Sequence, residues 1–275
     1  MPELPEVETT VKDLQKKVLS RTFVDVWTDA KKIVKKPKDF EEFRKQLKSK
    51  KIQKIWRRGK NIIFELSEDY SLLIHQKLTG HLLYGEWKKD RVNTYIHLKF
   101  FLDNGEILAL SDLRKFAKVE LWKTEELLEE LENLGPEPLA KDFAFEKFKE
   151  ILKDKRGKVK QVLMDQKVIT GIGNIYSDEI LWVARVHPFR DVSKLNEGEL
   201  ERIYQALKKI LKKAIELRGE SISDYRDPAG RKGKFDKMRK VYRRKGENCF
   251  RCGTIIQRKK IAGRNAHFCP KCQKL

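Results

Sequence analysis

The sequence predicts an α+β protein built from more than one domain. Three observations lead there: a helical pattern at the start of the chain, a run of short β-branched and aromatic segments from Thr22 to Leu121, and a helical second half that ends in four clustered cysteines. In the first of these, Val7, Val11, Leu14 and Val18 recur at steps of four, three and four, which puts them on one helix face. Pro5 suits the first turn of that helix, and Glu6 and Glu8 suit its positive end. The segments KIVKK, KIQKIWRRG, NIIFELS, SLLIHQKL, HLLYGEW, TYIHLKFFL, EILALSD and AKVELW then read as strands. Turn signals such as Asp103-Asn104-Gly105 separate several of them. Phe40 to Leu47 reads as a short helix. This half is expected to form an antiparallel β-sandwich or barrel with an N-terminal helix.

A helix over Glu125 to Leu134 is expected to stop at Gly135-Pro136, and residues 135–144 read as a linker. Helices follow over Phe145 to Lys153, Val159 to Met164, Asn174 to Val186 and Gly198 to Leu217. A mobile loop is expected within the charged stretch from Gly219 to Gly246. The resulting division is 1–134, a linker, 145–235, and a cysteine module over 236–275.

Charge narrows the class of function. Lys and Arg exceed Asp and Glu by 62 to 41 in 275 residues, a formal net charge of +21. A metabolic enzyme for small molecules has no use for such an excess, whereas a polyanion partner does, and nucleic acid is the commonest one. All four cysteines lie in the last 27 residues, a pattern of a local metal site in a reducing compartment rather than of a disulfide framework. No apolar run reaches the roughly 18 residues that span a bilayer, and MPELPEVETT has no signal-peptide core. The expected location is intracellular.

Four motifs carry chemistry. Cys249-x2-Cys252 and Cys269-x2-Cys272 have the spacing of a four-thiolate zinc site on two knuckles, with an iron site or paired disulfides as alternatives. Arg258, Lys259, Lys260 and Arg264 lie between the knuckles and favour a phosphate-facing hairpin. Arg231 to Lys260 holds thirteen basic and two acidic residues, a net +11, and reads as a DNA-facing stretch. Thr170-Gly171-Ile172-Gly173-Asn174 lies between two helical patterns. Asn174 there could cap the following helix, whose free amides would face a phosphate. At the N-terminus a small second residue favours removal of Met1. That would expose the secondary amine of Pro2, with a pKa of about 8 against about 10.4 for lysine. Such an amine condenses with an aldehyde carbon to an iminium, an electron sink for elimination. Glu3 and Glu6 stand beside it as acid or base groups.

Taken together and in order, these motifs resemble the formamidopyrimidine-DNA glycosylase family, bacterial enzymes of oxidised-purine repair related to endonuclease VIII. PELPEVET, RRGKNIIFEL, SDLRKF, NLGPEPL, MDQKVITGIGNIYSDEILW, VYRRKGENCFRCG and FCPKCQK carry the resemblance, which spans the chain. It implies an N-terminal β-sandwich, a helix–two-turn–helix domain and a zinc finger with one structural zinc ion on Cys249, Cys252, Cys269 and Cys272. It implies that Pro2 is the nucleophile at the sugar C1′ and Glu3 the acid that helps open the deoxyribose. Lys60 would contact phosphate and assist excision, Asn174 would grip phosphate, and Arg264 would hold the phosphate beside the lesion. Leu78, Arg114 and Phe116 would fill the gap left by a flipped base. The implied activity is removal of 8-oxoguanine and formamidopyrimidines from damaged duplex DNA, followed by β,δ-elimination. A monomer in the bacterial cytoplasm is expected. The alternatives are an endonuclease VIII-like enzyme for oxidised pyrimidines and a non-catalytic DNA-binding relative. Leu78 stands where the family commonly has methionine, and Glu220 where it commonly has a small residue. Both departures bear on base preference rather than on sugar chemistry.

Overall fold

A computed structural model describes residues 1–221 and 224–275. Ile222 and Ser223, inside the predicted mobile loop, lie outside the described residues. The chain forms two compact units, Met1–Asn133 with Ile215–Asp236, and Leu134–Ala214 with Lys237–Leu275. Among the described residues, no helix is long and apolar enough to cross a membrane.

The first unit opens with α1 (Leu4–Val18), whose Val7, Val11, Leu14 and Val18 are all buried, as their spacing requires. Next come β1 (Phe23–Thr28), β2 (Val34–Lys36), α2 (Phe40–Leu47), β3 (Ile52–Arg58), β4 (Asn61–Leu66) and β5 (Tyr70–His75). After them run β6 (His81–Tyr84), β7 (Ile96–Leu102), β8 (Ile107–Ser111), β9 (Lys118–Lys123) and α3 (Thr124–Glu132). One sheet has the order β1-β7-β8-β6 and the other β2-β9-β5-β4-β3. Every pairing is antiparallel except the short β2–β9 contact, which is parallel. The sandwich expectation therefore holds, with two open sheets among the described residues of this unit.

Val11 and Leu14 of α1, Ile55, Phe64, Leu72 and Ile74 of one sheet, and Phe23, Leu98, Phe100 and Leu110 of the other share a single apolar core. Each such side chain contributes about 1.5–3 kcal/mol by leaving water. The predicted Asp103-Asn104-Gly105 turn joins β7 to β8, with Gly105 at φ 79°. KIVKK differs from expectation: Lys31–Ile33 forms a 3-10 turn and only Val34–Lys36 pairs as a strand.

In the second unit are α4 (Phe145–Lys153), α5 (Val159–Met164), α6 (Asn174–Ala184) and α7 (Glu197–Glu216), the last ending in the segment that belongs to the first unit. Nearly all of α6 is buried, so it forms the centre of the unit rather than one amphipathic wall. It stops two residues before the predicted end, where Arg185 turns left-handed at φ 59° and closes the helix. The hairpin β10 (Gln257–Ile261) and β11 (Arg264–Phe268) lies between the two cysteine pairs.

Candidate functional site

Pro2 is buried at the entrance to α1. The helix start is held by a reciprocal capping box. The Glu3 amide donates to Glu6 Oε2 at 2.7 Å, and the Glu3 side chain accepts from the Glu6 amide. Both acids are about 1% exposed. The other oxygen of Glu6 accepts the Glu220 amide at 2.7 Å, and the Tyr225 hydroxyl donates to the Glu6 carbonyl at 3.1 Å. Burial pushes the Tyr225 phenol well above its ordinary value, which keeps it a donor. The loop that begins at Gly219 is thus tied to the helix start beside Pro2. Gly219 is required there: its φ is 79°, and an added Cβ would stand 2.6 Å from Glu6 Oε1. Further along, buried Asp227 accepts from Arg218, Arg231 and the Ala229 amide and pins the loop's return. Glu220 itself is buried.

Lys60 sits in the two-residue turn between β3 and β4, after Gly59 at φ 57°. It is only 7% exposed, unusual for a lysine. His75 lies across the sheet from Asn61, next to this turn. Its Nδ1 accepts the Lys77 amide at 2.9 Å, which leaves Nε2 to carry the proton of the neutral ring. Burial, then Lys77 and Lys60, push its pKa down to about 3. Sequence reasoning did not single out His75; it lies within the predicted strand segment SLLIHQKL, and the observed strand ends on it.

Leu78, Arg114 and Phe116 occupy two loops of the first unit. Leu78 is half-buried in the β5–β6 loop, while Arg114 and Phe116 project from the β8–β9 loop. Phe116 is 47% exposed and so is no part of the strand core. The Arg114 guanidinium lies 4.5 Å from the centroid of its ring.

Asn174 is the first residue of α6, and the N-cap is Gly173, so the expected capping role for Asn174 is corrected. Its side-chain oxygen is shielded from solvent and accepts no hydrogen bond among the described residues. Gln166 shapes the turn before it, donating to the Met164 and Ile172 carbonyls and accepting the Gly171 amide. Fully buried Lys160 donates to the Asn174 carbonyl at 3.2 Å and to Asp178 Oδ1 at 2.5 Å. Asp178 Oδ2 in turn accepts the His267 amide and pairs with its Nδ1. One position on, Glu179 accepts the amides of Lys240, Val241 and Tyr242. Complete burial raises its pKa against those three bonds. Consecutive carboxylates of α6 therefore hold both the hairpin and the segment that leads into the cysteine module. Sequence reasoning missed this pair too, because nothing in DE within a helix marks burial.

Arg264 opens β11, exposed, after a turn in which Ala262 and Gly263 both take positive φ. Arg258, Lys259 and Lys260 are exposed on the partner strand. The four cysteine sulfurs lie within 4.8 Å of one another, with Sγ–Sγ separations including 3.3, 3.5 and 4.0 Å. A tetrahedral zinc with bonds of about 2.3 Å needs separations of about 3.8 Å. Four soft thiolates at this spacing fit one structural zinc ion, and with four protein ligands the metal has no position open for chemistry.

Three family models match the chain in order: Formamidopyrimidine-DNA glycosylase N-terminal domain over residues 1–119, its H2TH domain over 134–226, and Zinc finger found in FPG and IleRS over 246–275. The chain belongs to the formamidopyrimidine-DNA glycosylase family. It is 39% identical to the Pelotomaculum thermopropionicum enzyme and 38% identical to that of Bacillus cereus, over 100% and 99% of each chain. Among solved structures it is similar to a Lactococcus lactis FPG mutant in complex with a Fapy-dG containing DNA. The TM-score is 0.91, with 36% identity and full coverage of both chains. It is also similar to the Lactococcus lactis Fpg in complex with an abasic site containing DNA, at TM-score 0.90 and 36% identity over 99% of this chain and 100% of that one. Membership makes this chain a DNA glycosylase of base-excision repair.

Proposed function

We propose that this chain removes oxidised purines, 8-oxoguanine and formamidopyrimidines, from duplex DNA and then cuts the abasic site by β,δ-elimination. The observation that carries the reading is the N-terminal geometry. Pro2 lies at a helix start where Glu3 and Glu6 are buried and fixed by one capping box. Once Met1 is removed, the Pro2 nitrogen attacks C1′ and the damaged base leaves. Protonation of the ring oxygen by Glu3 opens the deoxyribose and yields an iminium. Loss of a C2′ proton expels the 3′ phosphate, and a second elimination expels the 5′ phosphate. The product is a one-nucleotide gap with phosphates at both ends.

Lys60, Asn174 and Arg264 are the proposed phosphate contacts, and His75 with its Nε2 proton is a further donor beside Lys60. Leu78, Arg114 and Phe116 take the place of the flipped base. A duplex-DNA substrate implies the bacterial cytoplasm, and the enzyme acts as a monomer. Oxidised pyrimidines are a second substrate class to test, because a similar Lactococcus lactis structure holds an oxidized pyrimidine containing DNA.

Borohydride trapping on a panel of lesion duplexes decides the matter. The expected result is a reduced protein–DNA adduct that maps to residue 2 and is lost when Met1 is retained. Glu3→Gln should slow base excision more than cleavage of a ready-made abasic site, whose sugar opens without an acid. An adduct on Lys60, or full trapping with a blocked N-terminus, overturns the mechanism.

A further inference from the structure

The two loops that carry Leu78, Arg114 and Phe116 are far apart in sequence but share one buried hub. Thr79 follows Leu78, and Asp112 precedes Arg114 by two residues. Asp112 is fully buried, and Thr79 is 8% exposed. Asp112 Oδ1 accepts the Thr79 hydroxyl and, at 3.3 Å, the Arg114 amide. Oδ2 accepts the amides of Phe116 at 2.7 Å and Ala117 at 2.8 Å. The Thr79 oxygen also accepts the Arg114 amide at 3.1 Å, so the hydroxyl is a direct bridge between the loops. In every one of these bonds Asp112 accepts, which is the role of a carboxylate.

The tip is correspondingly rigid in backbone and bare in side chain. Lys115 is held left-handed at φ 54°, its amide donating to the Asp112 carbonyl at 3.0 Å. A strained residue of this kind persists only where its surroundings determine it. Leu113 and Phe116 meanwhile stand about half exposed, at 49% and 47%. The fold thus spends buried polar groups on fixing side chains that stay about half exposed.

We infer that Asp112 and Thr79 are positioning residues that lock the two loops into one wedge. Leu78 then enters the duplex in fixed register with Arg114 and Phe116, and the base opposite the lesion is read during entry. The inference rests on the proposed gap-filling role of those three side chains. Its consequence is that discrimination among opposite bases depends on a hydroxyl that touches no DNA.

The test uses the full-length zinc-loaded protein, with 2-aminopurine beside the lesion reporting unstacking. Thr79→Val keeps the shape and removes both hydrogen bonds, while Thr79→Ser keeps the hydroxyl. Expected for Thr79→Val is a roughly tenfold to hundredfold slower fluorescence rise on lesion duplex, as for an atom group misplaced by about 1 Å. Its selectivity among the four opposite bases should narrow, and its loss on a single-stranded abasic oligonucleotide should be much smaller. Thr79→Ser should restore both. Asp112→Asn, which turns one acceptor into a donor, gives an independent break of the same hub. Wild-type insertion and selectivity in folded Thr79→Val, or equal losses on duplex and single strand, overturn the inference. Failure of Thr79→Val to fold while Asp112→Asn behaves as wild type also overturns it. Leu78→Ala and Arg114→Ala separate the two readings. If they leave the fluorescence unchanged, the wedge itself is wrong; if they abolish it and the hub variants do not, only the coupling is wrong.

Discussion

The β-rich unit and the cysteine module reach a fixed structure by opposite means. In the first, aliphatic and aromatic side chains from two sheets and α1 form one continuous core. In the second, the core is Trp182, Val241, Cys249, Ile256 and Cys269, two of which are metal ligands. A segment of about 40 residues cannot exclude enough water to stand alone. It is held instead by zinc and by carboxylates reaching out of α6. Apolar burial is non-directional and tolerant of exchange. Metal bonds and buried carboxylates fix direction, and direction is what the proposed phosphate contact of Arg264 on the hairpin requires.

The largest break in this contrast is removal of a ligand. Structural zinc contributes on the order of 10–16 kcal/mol to the folding of such modules. Cys249→Ser is therefore expected to release the metal, unfold the cysteine module and weaken DNA binding. Hydrogen exchange over residues 1–133 should remain as protected as before. Loss of protection throughout the β-rich unit, or undiminished lesion binding without zinc, would contradict the contrast.

A smaller break leaves the zinc in place. Asp178→Asn removes the charge that pairs with fully buried Lys160 and one acceptor for His267. Breaking a buried pair by removing one partner costs about 3–5 kcal/mol. Hydrogen exchange should rise in α5, at the start of α6 and in the β10–β11 hairpin, with zinc still bound at one equivalent. Exchange unchanged in the hairpin would mean that the metal alone holds it.

Local pattern made most elements legible, and non-local pairing did not. Helices α2, α4 and α5 occupy their predicted spans because turns and 3.6-residue periodicity are local signals, to which α2 adds an Asp39 cap. FVDVWT was not singled out as a strand. The ladder is irregular between Phe23 and Asp25, and buried residues therefore fall three apart, at Phe23 and Val26, instead of two. The parallel β2–β9 contact and the grouping of residues 215–236 with the first unit have no local signature at all. The same divide runs through the candidate site. Cysteine spacing announces the zinc site, and the motifs supply Pro2, Lys60 and Arg264 by resemblance. Asp112, Thr79 and His75 are read only from what they touch: SDLRKF carries the resemblance and SLLIHQKL reads as a strand, but neither pattern shows which side chains bond across loops.

The smallest expected effect is one of pH, and it separates histidine from carboxylate contributions in the β-rich unit. His75 is pushed down to about 3, first by burial and then by Lys77, Lys60 and Lys118, and burial also lowers His81. Both are neutral in the folded protein, whereas an unfolded histidine takes up a proton at about pH 6.5. Below that value the unfolded chain binds more protons, so the stability contributed by neutral His75 is complete above pH 6.5. It is lost as pH falls towards 3. Asp25 and Asp90, whose pKa values are lowered by Arg44 and Arg226 respectively, contribute to the slope only below the ordinary carboxylate range. Between pH 7.5 and pH 5.5 the loss from His75 is therefore about 1.4 kcal/mol, a few degrees in Tm. His75→Gln should flatten the pH dependence of melting in that window while leaving zinc content unchanged. A slope that persists undiminished in His75→Gln would assign the titration to His81 or His187, and a rise in stability on acidification would reverse the sign argued here.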